Sequence, residues 1–189
     1  MERRITLKWI PIAVTVTIIY GVFYGTWQQM LRQGANSPQL QVAEDTAHAI
    51  ESGKDPSTFV VGDTIKMEES LSQFIIVYDD EGRVIASSGS LHGKTPVPPS
   101  GVFTYTRDNI EDRLTWEPEA GARFAAVLRR YEGKNPGFVL VARSLRETEK
   151  RIAALSGLLF FAWIFTLFAS YLSIRIARKS NRYRSVIED

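Results

Sequence analysis

Two long runs without a charge frame the chain, and the apolar positions between them recur at two different periods. Trp9 to Leu31 is 23 residues, "WIPIAVTVTIIYGVFYGTWQQML", and Ile152 to Ile174 is 23 more, "IAALSGLLFFAWIFTLFASYLSI". A helix rises about 1.5 Å per residue and the hydrocarbon core of a bilayer is about 30 Å thick, so either run is long enough to span. Trp9 at one end of the first run and Tyr24 and Trp27 at the other stand where membrane interfaces fall. Its exit, "YGTWQQML", offers no small-residue cleavage site, so the run reads as a retained anchor.

Between the runs the period changes twice. Ser37 and Pro38 set a helix start, and Leu40, Ala43, Ala47 and Ile50 recur at helical spacing until Gly53. This helix is expected to continue from the first span after a break near Gly34. "KDPSTFVVGD" reads as a connection and "TIKMEESLSQ" as a short helix. Residues 74–78 and 83–88 then flank the turn Asp79-Asp80-Glu81-Gly82, which predicts a β-hairpin. "SLHGKTPVPPSG" predicts a loop, because Pro96, Pro98 and Pro99 oppose regular structure. Strands follow over 113–117, 122–131 and 137–144. In the last two, apolar residues occupy both parities, as in strands covered on both faces.

Charge orients this arrangement. Arg3, Arg4 and Lys8 precede the first run, and Arg175, Arg178, Lys179, Arg182 and Arg184 follow the second. The Lys/Arg bias places both clusters in the cytoplasm, where the tail meets anionic headgroups. Residues 29–150 hold 14 Lys/Arg against 18 Asp/Glu, which puts that region outside. The expected organisation is a cytoplasmic N-terminus (1–8), a first transmembrane helix (9–31), an extracytoplasmic domain (32–150), a second transmembrane helix (151–174) and a basic cytoplasmic tail (175–189). With no cysteine, there is no disulfide, thiolate metal site or Cys nucleophile, and the outer domain relies on its core. The scattered basic residues outside carry no nucleic-acid signature.

"FIIVYDDEGRVIASSGSLHGK" and "PGFVLVARSLRETEKRIAAL" give the middle region a resemblance. Together they resemble the PAS-like or single Cache sensor domain found outside the membrane in bacterial sensor histidine kinases and chemoreceptors. The resemblance implies an α+β fold: a five-stranded antiparallel sheet with N-terminal helices, tethered by two transmembrane helices in a bacterial inner membrane. Only 15 residues follow Ile174, too few for a HAMP linker, a phosphoacceptor helix or an ATP-binding domain. The expectation is therefore a non-enzymatic protein of the two-component type that binds a small ligand, ion or partner outside and signals through the second transmembrane helix to a separate cytoplasmic protein. The input portion of a longer kinase is the alternative.

Candidate chemistry is sparse. "GKT" at Gly93–Thr95 resembles the end of a phosphate loop, but "GSLHGKT" has three residues between its glycines where four are needed, and Pro96 blocks the helix. Ser87, Ser88, Ser90 and His92 lack a nucleophile elbow. The acidic groups Glu68-Glu69, Asp79-Asp80-Glu81 and Glu111-Asp112 are a solvated surface or a divalent-cation patch, and the first pair and the triple lack calcium-loop spacing. No metal site or cofactor is predicted. The resemblance implies a small anionic ligand held between the sheet and the long loop. Arg107, Arg113, Arg123 and Arg143, with Tyr105, Trp116 and His92, are its candidate lining, since guanidinium groups bind carboxylates bidentately. Surface ion pairing is the competing role for the same arginines.

The spans carry packing signals. Leu145, Thr148, Ile152, Leu155, Leu159 and Ala162 alternate by three and four, as in a helix–helix seam, and Gly21 and Gly25 form a GxxxG. They predict a homodimer or pairing with another membrane protein. A docking subunit of a membrane complex, with no ligand, is the alternative function.

Overall fold

"GFVLVA" at residues 137–142 has no polar position on either parity, and a strand of that composition belongs at the centre of a covered sheet. The computed structural model, which describes residues 3–34, 37–60 and 62–187, puts it there. In chain order the elements are α1 (Arg3–Gly34), α2 (Ser37–Glu51), a 3₁₀ turn (Pro56–Phe59), β1 (Ile65–Lys66), β2 (Phe74–Asp79), β3 (Val84–Ser87) and β4 (Gly89–Ser90). Then follow α3 (Ser100–Asn109), β5 (Glu111–Glu119), β6 (Ala122–Tyr131), β7 (Gly137–Ser144) and α4 (Arg146–Ile187). Five strands form one antiparallel sheet in the order β3-β2-β7-β6-β5, and β1 and β4 pair in parallel as a separate two-stranded sheet. The fold is α+β.

The chain divides into two compact units, Arg32–Lys150 and the pair Met1–Leu31 with Arg151–Asp189. In the first, each sheet face buries its own cluster. Val77, Val127, Tyr131, Val139 and Val141 pack under Ala43 and Ala47 of α2. On the other face Phe74, Ile76, Tyr78, Trp116, Phe124, Leu128, Phe138 and Leu140 pack with Met67, Leu91 and Phe103. Gly137 is required at the start of β7, because a Cβ there would collide with the Tyr78 carbonyl and the Tyr131 ring.

The hairpin turn is built on one carboxylate. Asp79 Oδ1 accepts from the amides of Arg83 (2.7 Å) and Glu81 (3.1 Å), and Oδ2 accepts from Arg83 Nε (2.6 Å). Burial raises the pKa of Asp79, but the bonds from Arg83 and Glu81 outweigh it and hold the carboxyl below its ordinary value. Gly82 closes the turn at φ +80°.

Two expectations fail here. Residues 64–73 contain the short strand β1 and a single turn rather than a helix. The Ile65 amide reaches the Ser88 carbonyl (2.7 Å) and the Met67 amide reaches that of Ser90 (2.9 Å), which holds the backbone extended. The proline-rich stretch is not all loop either: β4 opens it, and α3 begins directly after Pro99. "SGVFTYTRDN" is poor in helix formers, so α3 owes its helix to burial of Phe103 and Thr106. The expected break near Gly34 involves residues 35–36, which lie outside the described residues, as does the side chain of Ser37 on which the expected cap depends.

In the second unit α1 and α4 are antiparallel. Lys8–Leu31 and Arg146–Ala177 are long and apolar enough to cross a membrane, and neither stretch is buried inside the protein. Side chains of the basic flanks at 3–4 and 178–184 lie outside the described residues.

Candidate functional site

Register decides what the seven candidate ligand residues can do together. Arg143 lies opposite Ala125, and Arg113 opposite Val127, so by the alternation of strand side chains Arg113, Arg123 and Arg143 share the α2 face. Trp116 lies opposite Phe124 on the other face and is buried against that ring, with centroids 6.2 Å apart. It is core rather than the wall of an open site. Arg107 is also on this second face, its guanidinium 5.6 Å from the Phe138 ring centroid, while Tyr105 is exposed on α3. The set is therefore split by the sheet.

The arginines are also engaged by their own chain. Arg107 donates to the Asp80 carbonyl (2.6 Å), Arg113 to Glu111 (2.7 Å), Arg123 to Glu149 (2.6 Å) and Arg143 to the Leu71 carbonyl (3.1 Å). An anion arriving at any of them competes with an existing partner. The region between the sheet and the 89–99 loop, where the ligand was expected, is occupied by packed rings. Tyr78–Phe103 and Phe103–Phe138 both have centroid separations of 5.2 Å, and Tyr78 donates its hydroxyl to the Pro96 carbonyl at 3.1 Å.

A denser arrangement forms where β7 ends. One residue, Leu145, separates β7 from α4, and its amide still pairs with the Arg123 carbonyl at 2.9 Å. The next residue, Arg146, reaches back to the segment between β1 and β2. Its Nη1 donates to the Glu68 carbonyl (3.1 Å) and its Nη2 to the Glu69 carbonyl (2.8 Å). Arg143 takes the Leu71 carbonyl in the same segment, and Arg123 takes Glu149 in the first turn of α4. A planar guanidinium suits two neighbouring carbonyls because its donors form a fixed fork.

His92 flanks this arrangement. Its Nε2 is 3.0 Å from Glu119 Oε1, and its Nδ1 is 4.0 Å from Glu68 Oε1. His92 holds a left-handed backbone, φ +49°, in the tight Leu91–Lys94 bridge. Glu68 keeps its second carboxylate oxygen buried without a partner. Among the described residues no His, Asp or Glu group is arranged to hold a metal ion. Three of the acidic residues are engaged by the fold: Asp79 and Glu81 pair with Arg83, and Glu111 pairs with Arg113 and Arg129.

The membrane-length helices meet along a polar seam. Trp9 Nε1 donates to Ser170 Oγ (3.0 Å), Trp163 Nε1 to Thr17 Oγ1 (3.1 Å), and Tyr20 shares a hydrogen bond with Thr166 (3.1 Å). Ser156 donates to the Tyr24 hydroxyl at 3.4 Å. Gly21 and Leu159 line a groove of about 360 Å³ beside this seam, with Thr17, Tyr24, Phe160 and Trp163. A Cβ on Gly21 or Gly25 would meet nothing within 4 Å, so the GxxxG is not buried between α1 and α4. Leu145, just before α4, and Ile152, Leu155 and Leu159 along it are half-buried.

Arg146 and the 68–71 carbonyls escaped the sequence reading for a physical reason. A backbone acceptor leaves no side-chain signature, and an arginine after a strand looks like any other surface charge. No model of a known protein family matches the chain, and none of the curated proteins compared with it matches either.

Proposed function

We propose that this is a two-pass protein of a bacterial cytoplasmic membrane. On this reading its sheet domain is a PAS/Cache-like sensor held outside, both termini are cytoplasmic, and α4 passes the sensor's state to a cytoplasmic protein. One observation carries it: the central strand of the sheet leads through a single residue into a helix that runs unbroken through an apolar stretch. A strand buried on both faces cannot shift alone, so a change in the sheet is delivered to α4 with little slack. The arrangement of a five-stranded antiparallel sheet with a helix on each face supports the sensor resemblance. The Lys/Arg bias supports the orientation.

The chain lacks cysteine, so a thiol introduced by Leu145→Cys is a unique probe. The full chain carrying it, reconstituted in vesicles, is titrated with organic acids, amino acids, Mg²⁺ and Ca²⁺ while thiol cross-linking is followed. One ligand class changing the cross-linking rate fits the reading. A flat response across ligands that do bind, as judged by a raised unfolding midpoint, sinks transmission through α4.

The second reading is a docking subunit with no small ligand. The self-pairing of Arg107, Arg113, Arg123 and Arg143 favours it, since each is already engaged. Absence of any midpoint shift, together with co-purification of a stoichiometric membrane partner, selects it.

A further inference from the structure

Residues 65–72 form a strap with three separate attachments. At its start, β1 pairs with β4, through the Ile65 and Met67 amides and the carbonyls of Ser88 and Ser90. In its middle, the Met67 side chain is 2% exposed and belongs to the aromatic-face cluster with Phe74, Phe103 and Phe138. At its far end the carbonyls of Glu68, Glu69 and Leu71 are held by Arg146 and Arg143. One turn joins these anchors, with the Glu69 and Ser70 amides both returning to the Lys66 carbonyl at 3.1 and 2.8 Å. The strap thus touches the β4 loop, the aromatic core and the first residue of α4.

We infer that Arg146 couples this strap to α4, making the strap a second route, beside β7, by which the aromatic face and the 89–99 loop act on the helix. The route reaches the loop through Glu68. His92, in the loop, stands within ion-pair distance of Glu68, the residue whose carbonyl Arg146 holds. A rearrangement of the loop or of the packing around Met67 displaces the 68–69 carbonyls, and the guanidinium follows because both its terminal nitrogens are committed there. Charge-assisted bonds from one rigid fork to two adjacent carbonyls move as a unit. Its meaning as an input route rests on the sensory reading above; the coupling itself does not.

The test is hydrogen–deuterium exchange of the full chain in lipid nanodiscs, read on peptides covering 65–72, 145–150 and 124–128. Arg146→Ala raises exchange in 65–72 about fivefold or more, as loss of two hydrogen bonds requires, and leaves 124–128 unchanged. Arg146→Lys gives an intermediate rise, because an ammonium is a point donor. Arg113→Ala, whose guanidinium meets Glu111 on β5, leaves the strap at the wild-type rate. The decisive variant is Met67→Val, conservative enough to keep the fold. It raises exchange at 145–150 in the wild-type background and raises it clearly less in the Arg146→Ala background, because the share of the coupling that passes through that side chain is lost while β7 carries the remainder. Strap exchange unmoved by Arg146→Ala, or a Met67→Val effect on α4 undiminished without Arg146, overturns the inference. A mobility label at Ser180→Cys separates the two proposals. If Arg146→Ala loosens the strap yet the label does not respond, the coupling stands and the transmission reading falls.

Discussion

The two faces of the sheet solve the same burial problem with opposite materials. Under α2 the sheet presents Val77, Val127, Val139 and Val141, and the helix answers with Ala43 and Ala47. Under α3 and the 89–99 loop it presents Phe74, Tyr78, Phe124 and Phe138, answered by Phe103, Met67 and Leu91. The fully buried contact is made by small side chains on both partners, with Tyr131, Leu40 and Ile50 completing it, and small side chains let a regular helix lie close. Large rings hold their cover further off, and an irregular segment with one short helix is enough to fill around them. The α2 face therefore depends on fit, and the aromatic face depends on buried area.

The largest test of that contrast compares neighbours on β7. Phe138→Ala on the aromatic face removes a fully buried ring that meets Phe103 at 5.2 Å, and is expected to cost about 3–5 kcal/mol. Val139→Ala on the α2 face removes two methyl groups and costs about 2 kcal/mol. Exchange of the β7 amides, which report opening of the whole sheet, measures both. Equal losses would mean that the aromatic rings contribute no more than their valine counterparts.

The reverse test adds volume. Ala47→Leu inserts three carbons where the alanine is 2% exposed against the sheet, and overpacking there costs about 1–3 kcal/mol. The loss should appear first as faster exchange in α2, with α3 little affected. A neutral result would show that α2 has room to move away and is not seated by close fit.

How far the sequence led follows the same division. β6 and β7 were legible to the residue, because their apolar runs end at Pro118–Gly121, at Gly133–Gly137 and at the polar residues after Ala142. The hairpin was legible because Asp79 and Gly82 do turn chemistry that depends on few distant residues. α3 was not, since a stretch with Gly101, Val102 and Thr104 has weak helix propensity and is folded by tertiary packing of Phe103. Strand pairing of Ile65 and Lys66 was hidden for the same reason: its partners, Gly89 and Ser90, lie more than twenty residues away. The candidate arginines were identifiable as charges, but their distribution over two faces depends on register, which parity alone does not supply.

Each face also buries one tyrosine, and these give a smaller, matched pair. On the aromatic face Tyr78 donates to Pro96; on the α2 side Tyr131 donates to the Tyr78 carbonyl at 3.2 Å. Replacing either with Phe removes one hydrogen bond and should cost about 1 kcal/mol. Burial pushes both phenols above their ordinary range, and for Tyr131 the charge of Asp79 adds to it. A raised folded-state pKa means stability is fully present below about pH 10 and is lost as pH rises beyond it. Each Phe variant should therefore lose less stability than wild type on alkaline titration. Parallel titration curves would show that the phenols stay exposed enough to ionise freely.

The smallest expected effect has the opposite sign and concerns the rim of the aromatic face. Asp112, opposite Leu128 on β5, is a half-buried carboxylate on that side of the sheet. Burial raises its pKa, with the Arg113 amide opposing, so folding disfavours its charged form. Its contribution is fully present below the unfolded pKa of about 3.9 and is lost as pH rises through the higher folded value, leaving a cost at neutral pH. Asp112→Asn removes the charge and keeps the shape, so it should stabilise the sheet at pH 7, by less than about 1 kcal/mol once solvent screening is allowed for. The gain should shrink toward zero as both proteins are taken below about pH 4, where the aspartate is itself neutral. A gain that stays constant with pH would assign the effect to shape or hydrogen bonding. A loss at pH 7 would show that the aromatic side tolerates a charge at its edge as readily as the α2 side tolerates Arg129, which two carboxylates neutralise.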